Sequence, residues 1–260
     1  MKTIERTFDL INNNGEVYTL SMYGTHTGFF YSVEGLGSEH DITYQRIGNQ
    51  FDILQDDINQ GEVGGVIWFR SKYPYHEYMR FVQFCEESPI TMRYRTPVGE
   101  YFRNGNITKI DKNEDGEDAR AKIIFTASSM WYRKVKETST GSVTVKSDSK
   151  NESPVCLIIS GVSVSYDTLH WFQKVNNVVI MDGYLDHVSI GSTTKVYIRT
   201  DTNPYQIYKV TDGIKTDLYP YSRFSSARFP FLYKGTNYFS VAGSGNPTMT
   251  VEGRILYETV

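Results

Sequence analysis

Along much of the chain, apolar and polar residues alternate at every second position. The clearest case is residues 248–257, where Met249, Val251, Gly253, Ile255 and Tyr257 alternate with polar neighbours, Leu256 apart. A period of two puts alternate side chains on opposite faces of a strand. Strand-like runs also fall at residues 16–23, 28–33, 64–70, 90–94, 101–110 and 121–127, and again at 155–160, 177–181, 184–190 and 195–200. Turn dipeptides punctuate them: Asn14-Gly15, Asn104-Gly105, Asp115-Gly116, Asp182-Gly183 and Asp212-Gly213. Such a density of short strands and turns predicts an all-β sandwich or barrel. One segment departs from it. In residues 73–85 apolar residues stand at Tyr75, Tyr78, Val82 and Cys85, which is helical spacing. Pro74 suits a first turn and Ser88-Pro89 a stop, so one short helix against a sheet is expected.

The pattern changes once. Residues 134–153 read KVKETSTGSVTVKSDSKNES, without an aromatic, directly after the aromatic Met130-Trp131-Tyr132. This predicts a boundary crossed by a connecting strand or linker. The expected domains are residues 1–135 and 136–260. A chain of 260 residues is long enough for each to bury its own core.

Charge and cysteine content narrow the function. A net charge of -3 and scattered Lys and Arg supply no field for nucleic acid or an anionic membrane. No apolar run reaches spanning length, and the charged start lacks a signal core, so folding in a cytoplasm is expected. Cys85 and Cys156 stand far apart among apolar residues and are expected to be buried free thiols. The aromatic count is high, with 20 Tyr, 14 Phe and 3 Trp. Tyrosine buries ring area while its hydroxyl keeps a polar partner, which suits contact surfaces.

Candidate chemistry is sparse. Residues 111–118, DKNEDGED, place Asp111, Asn113, Asp115 and Gly116 at the first, third, fifth and sixth positions of an EF-hand loop. The twelfth position is Lys122 where a bidentate glutamate is needed, and both flanks are β-like. The segment reads as an exposed turn between strands, and no metal site or cofactor is expected. The five histidines, His26, His40, His76, His170 and His187, show no metal spacing. Asp186-His187 beside Asp182 reads as the polar face of a hairpin. Asp56-Asp57 and Glu86-Glu87 read as solvated loop or helix-end charges, because adjacent strand residues face opposite ways. No catalytic set emerges. Trp171 and Tyr184, with Asn176 and Asn177 nearby, offer an alternative: a platform on which a sugar ring stacks, in a carbohydrate-binding adhesion module. Such aromatics more commonly serve a core or an interface.

The order of features resembles the distal tail protein (Dit) family of long, non-contractile-tailed phages. The matching pieces are FDLINNNGEVYTL at residues 8–20, TGFF at 27–30, GLG at 35–37, GGVIWF at 64–69 and YPY at 73–75 with the aromatic helix. GEYFR at 99–103 and FTASSMWY at 125–132 follow, and YKGTNYFSV at 233–241 is similar to a turn before a closing strand in galectin-like tail domains. The resemblance implies an all-β protein with one short helix: a β-sandwich or barrel-like N-terminal ring domain, then a C-terminal galectin-like β-sandwich. It implies a non-enzymatic virion component at the tail tip, made in the host cytoplasm. Members form a homo-hexameric ring that joins the tail tube protein to the tail-associated hub protein, and their C-terminal domains often anchor receptor-binding or baseplate proteins. The galectin-like label does not imply sugar binding. His170-Trp171-Phe172 and Asn203-Pro204 only loosely match the galectin set, whose arginine is missing from Asn203-Pro204-Tyr205-Gln206.

Overall fold

A computed structural model describes residues 6–22, 28–47, 49–115, 118–161, 164–224, 229–242 and 246–260. Among the described residues the chain forms strands throughout with one α-helix, as the alternation predicts. It divides into two compact units. The first is Met1–Tyr132 with Tyr257–Val260, and the second is Arg133–Leu256.

The first unit contains β1 (Thr7–Ile11), β2 (Val17–Ser21), β3 (Gly28–Glu34), β4 (His40–Ile47), β5 (Gln50–Ile58), β6 (Glu62–Phe69), α1 (Pro74–Glu86), β7 (Ile90–Thr96), β8 (Gly99–Asp115), β9 (Asp118–Ala127) and the start of β10 (Trp131–Thr140). Seven of these strands close on themselves in the order β8-β7-β1-β2-β3-β6-β9-β8. Only the β2–β3 pairing is parallel. Closure satisfies every ladder edge of the barrel. The core is aromatic: Phe8 stacks on Tyr94 at 4.4 Å and meets Phe30 edge-on at 5.4 Å. Phe125 and Trp131 are fully buried with them.

Helix α1 spans the expected segment, but its buried face is Phe81, Phe84 and Cys85 with Tyr78 beside them. Tyr75, expected on that face, is exposed. Proline opens the helix, as its missing N–H allows. The acidic stretch behaves as a hairpin. Strands β8 and β9 pair up to Asp115↔Asp118, leaving a two-residue tip outside the described residues. The Asp111 carboxylate forms an ion pair with Lys109 Nζ at 2.7 Å.

The second unit holds most of β10, then β11 (Ser142–Ser147), β12 (Ser153–Ser160), β13 (Val164–Val175), β14 (Val178–Ile190), β15 (Thr194–Arg199), β16 (Gln206–Thr211) and β17 (Ile214–Asp217). A 3-10 turn (Tyr219–Tyr221) leads to β18 (Ser222–Phe224), β19 (Phe231–Leu232), β20 (Gly235–Ala242) and β21 (Thr248–Tyr257). Strands β17-β16-β15-β12-β21 form one antiparallel sheet and β11-β20-β13-β14-β18 another. Each buries one face. Leu157, Ile159, Val196, Ile198 and Val251 line the first, and Leu169, Trp171, Phe239 and Val241 the second. Much of residues 134–153 is strand rather than linker. In β11 valines alternate with polar residues, so Val143 and Val145 are buried while the Thr, Ser and Lys composition stays.

Two of the five turn dipeptides are not turns. Asn104-Gly105 lies inside β8, where a Cβ on Gly105 would sit 2.3 Å from the Thr126 carbonyl oxygen. Asp182-Gly183 lies inside β14, so the two short strands expected at 177–190 are one. A Cβ on Gly183 would reach within 2.3 Å of the Trp171 indole. Glycine serves close packing at both places. Gly183→Ala should therefore push the indole from its site. We expect a loss of about 1–3 kcal/mol, the usual cost of overpacking, read as a lower urea midpoint for the second unit. An unchanged midpoint would show that the indole moves aside freely. Asn14-Gly15 and Asp212-Gly213 do turn. The latter, with φ of 49° and 82°, joins β16 to β17 across the pair Thr211↔Ile214.

Candidate assembly surface

Residues 40–58, which alternation alone did not single out, form a separate two-stranded ribbon. Strands β4 and β5 pair as His40↔Ile58, Thr43↔Gln55, Tyr44↔Ile53 and Gln45↔Asp52, with a bulge at Leu54. Among the described residues no other strand hydrogen-bonds to either edge. Register fixes which residues share a face. By register, His40, Ile42, Tyr44 and Arg46 share a face with positions 58, 56, 53 and 51, and Asp41, Thr43 and Gln45 share the other with positions 57, 55 and 52. The first face is open and carries four large apolar residues, with the exposed Arg46 beyond Tyr44 and position 56, an aspartate, opposite Ile42: Tyr44 is 56 % exposed, Ile53 59 %, Ile58 41 % and Ile42 37 %. Leu54, the extra residue at the bulge, is 64 % exposed. The ribbon has the pattern of a half-buried hairpin, yet its apolar face meets water. A lone two-stranded ribbon is marginal in water, and contiguous exposed apolar residues mark interaction surfaces. Asp56-Asp57, read from the sequence as loop charges, lie in β5.

One part of the barrel wall is held by charge. Asp9, in the middle of β1, is fully buried, opposite Thr19 on β2 and Arg93 on β7. Arg93 Nε donates to Asp9 Oδ2 at 2.8 Å, Arg95 Nη2 donates to the same oxygen, and Thr19 Oγ1 donates to Oδ1 at 2.7 Å. This triad is structural, since both carboxylate oxygens are occupied.

The residues considered for chemistry are dispersed. The Trp171 indole is fully buried between Gly183 and Phe224, so neither face is open to a sugar. Tyr184 stacks instead on His170 at 4.5 Å, and His170 in turn contacts the Asp182 carboxylate. Strand alternation sends Trp171 and Tyr184 to opposite faces, because Trp171 pairs with Gly183 and Tyr184 with His170. Asn176 and Asn177, both at positive φ, make the tight turn between β13 and β14. Asp186 accepts hydrogen bonds from Thr168 at 2.9 Å and Arg223 at 2.6 Å. The side chain of His187, and His26 entirely, lie outside the described residues. His40 stands 3.8 Å from Glu258. Among the described residues no three His, Cys, Asp or Glu side chains converge as metal ligands. Cys85 and Cys156 are free and buried. Burial, with nearby Glu86 adding to it, pushes the Cys85 thiol up to about 12, and burial with Asp201 does the same for Cys156. Thiols so protonated are poor nucleophiles. Among the described residues, no helix is long and apolar enough to cross a membrane.

The fold is that of phage tail proteins. A chain of the phage P2 baseplate, in its activated conformation with Ca, superposes with a TM-score of 0.62 at 13 % identity, covering 99 % of this chain and 100 % of that one. The SPP1 Dit protein, described as a paradigm of the hub adsorption apparatus in phages infecting Gram-positive hosts, superposes with a TM-score of 0.67 at 11 % identity over 96 % of this chain and 99 % of that one. Among curated protein sequences none matches. Residues 7–128 match the family described as "Distal tail protein, N-terminal domain", which spans the closed barrel and its ribbon. Residues 7–128 thus carry the N-terminal domain of the distal tail proteins, and the whole chain shares the fold of these phage tail proteins.

Proposed function

We propose that this chain builds a homo-hexameric ring at the phage tail tip and joins the tail tube to the host-adhesion device. The observation that carries the reading is the amphipathic ribbon β4–β5, a strand pair with an apolar face and nothing within the described residues to cover it. A closed barrel offers no free edge for strand addition, which leaves the ribbon, with its exposed side chains and its edges unpaired among the described residues, to make the contact. A ribbon laid on a different surface of the next copy is a heterologous contact, which generates a ring when the rotation closes. The tail tube protein and the tail-associated hub protein are the expected neighbours of the ring's two faces, with receptor-binding or baseplate proteins on the C-terminal unit. The role is structural, with no catalytic group asked to act.

Light scattering and negative-stain images of one chromatographic peak test this. We expect a mass of six chains and a particle with a central hole. A protein that stays monomeric at high concentration, even with its tail tube partner added, overturns the ring.

A further inference from the structure

The second unit contains a concave site apart from the ribbon. It lies where the β16–β17 hairpin meets the 3-10 turn, with a volume of about 630 Å³. That size is within the range of small-ligand pockets, roughly 300–1,000 Å³. Its platform is aromatic. The rings of Tyr205 and Tyr219 flank Phe229, with centroids at 5.0 Å and 6.3 Å. Tyr205 is 45 % exposed and Tyr219 52 %.

The polar groups are fixed as well. The hairpin turn at Asp212-Gly213 brings Asp217 opposite Tyr208 and sets Lys215 Nζ 3.9 Å over the Tyr208 ring. Lys215 Nζ donates to Gln206 Oε1 at 2.9 Å. Lysine can only donate, so this bond orients the amide and leaves the Gln206 NH₂ to face a ligand. Asp217 Oδ1 accepts the Tyr219 backbone N–H at 3.0 Å, which positions its carboxylate at the rim.

We propose that this cleft binds a neutral saccharide of two or three rings. A pyranose has an apolar C–H face and an edge of hydroxyls that both donate and accept. The aromatic platform matches the face, and the amide, ammonium and carboxylate match the edge. A cationic or anionic ligand would leave Lys215 or Asp217 opposed by like charge. An aliphatic protein anchor would leave all three polar groups to be desolvated without partners. The inference stands apart from the ring reading, since the cleft and the ribbon belong to different units.

The test is saturation-transfer NMR on the full chain with di- and trisaccharides of glucose, galactose and their N-acetylated forms. We expect saturation of ring protons of at least one sugar. Tyr205→Ala with Tyr219→Ala should weaken its binding about tenfold or more, as the loss of two ring contacts implies. Tyr205→Phe with Tyr219→Phe, which keeps both faces, should retain most of it, and unchanged melting curves separate binding from folding. Binding by no member of the panel overturns the proposal. So does binding that survives the alanine pair. A self-association abolished by that pair, with no sugar bound, would assign the cleft to a second copy of the chain instead.

Discussion

Asp9→Ala should destabilise the first unit by about 2–4 kcal/mol. Removing one partner from a buried ion pair strands the other, at about 3–5 kcal/mol when both are buried. Here Asp9 is wholly buried while Arg93 and Arg95 keep part of their surface in water, and solvent screening lowers the figure. The substitution leaves two arginines on one face of β7 with no carboxylate between them, since Glu100 is 3.8 Å from Arg95 only. Asp9→Asn keeps the shape and an acceptor and should cost less. The pH dependence separates charge from packing. Burial alone would raise the Asp9 pKa, but hydrogen bonds from Thr19, Arg95 and Arg93 outweigh it and hold the group below its ordinary 3.8. A carboxyl with a depressed folded pKa stabilises fully above the ordinary value, and that contribution is lost as pH falls through the folded value. The gap between wild type and Asp9→Asn in urea unfolding should thus be largest near neutrality and narrow in acid below about pH 4. A gap that is constant with pH would mean that packing, not charge, makes the triad matter.

The triad also marks a limit of reading by sequence. Arg93 and Arg95 stand two apart on a strand and so share a face, which is legible. Nothing local says that residue 9 lies between them, because only the β1–β7 register brings the three together. The glycines failed for a related reason. Asn104-Gly105 and Asp182-Gly183 have turn chemistry, but Phe125 and Trp171 approach from other strands and require the missing Cβ. Where one strand face is buried and the other wet, as in β21, periodicity was a sufficient guide. The family was legible from the order of its turns and aromatics, which survives when identity is near 13 %. The buried position of Trp171 agrees with the commoner reading of a strand tryptophan as a core residue.

The ribbon escaped notice because its bulge at Leu54 breaks the period of two and its acids at 56 and 57 read as a loop. It is nevertheless where the largest functional effect should appear. Tyr44→Lys with Ile53→Glu should abolish the ring and leave a folded monomer. Burying a large apolar side chain contributes about 1.5–3 kcal/mol. Two lost at each contact amount to roughly 3–6 kcal/mol, or a hundredfold or more in association at about 1.4 kcal/mol per tenfold. Both side chains are exposed in the free chain, so unfolding midpoints should stay within about 0.5 kcal/mol of wild type. Thr43→Lys, on the polar face of the same strand, is the control. It adds charge to the ribbon but not to its apolar face, and the ring should persist. If the double variant still forms rings of full mass, the ribbon covers something other than a neighbouring copy. If Thr43→Lys dissociates the ring as well, the contact uses both faces, and the amphipathic argument for a one-sided seat fails.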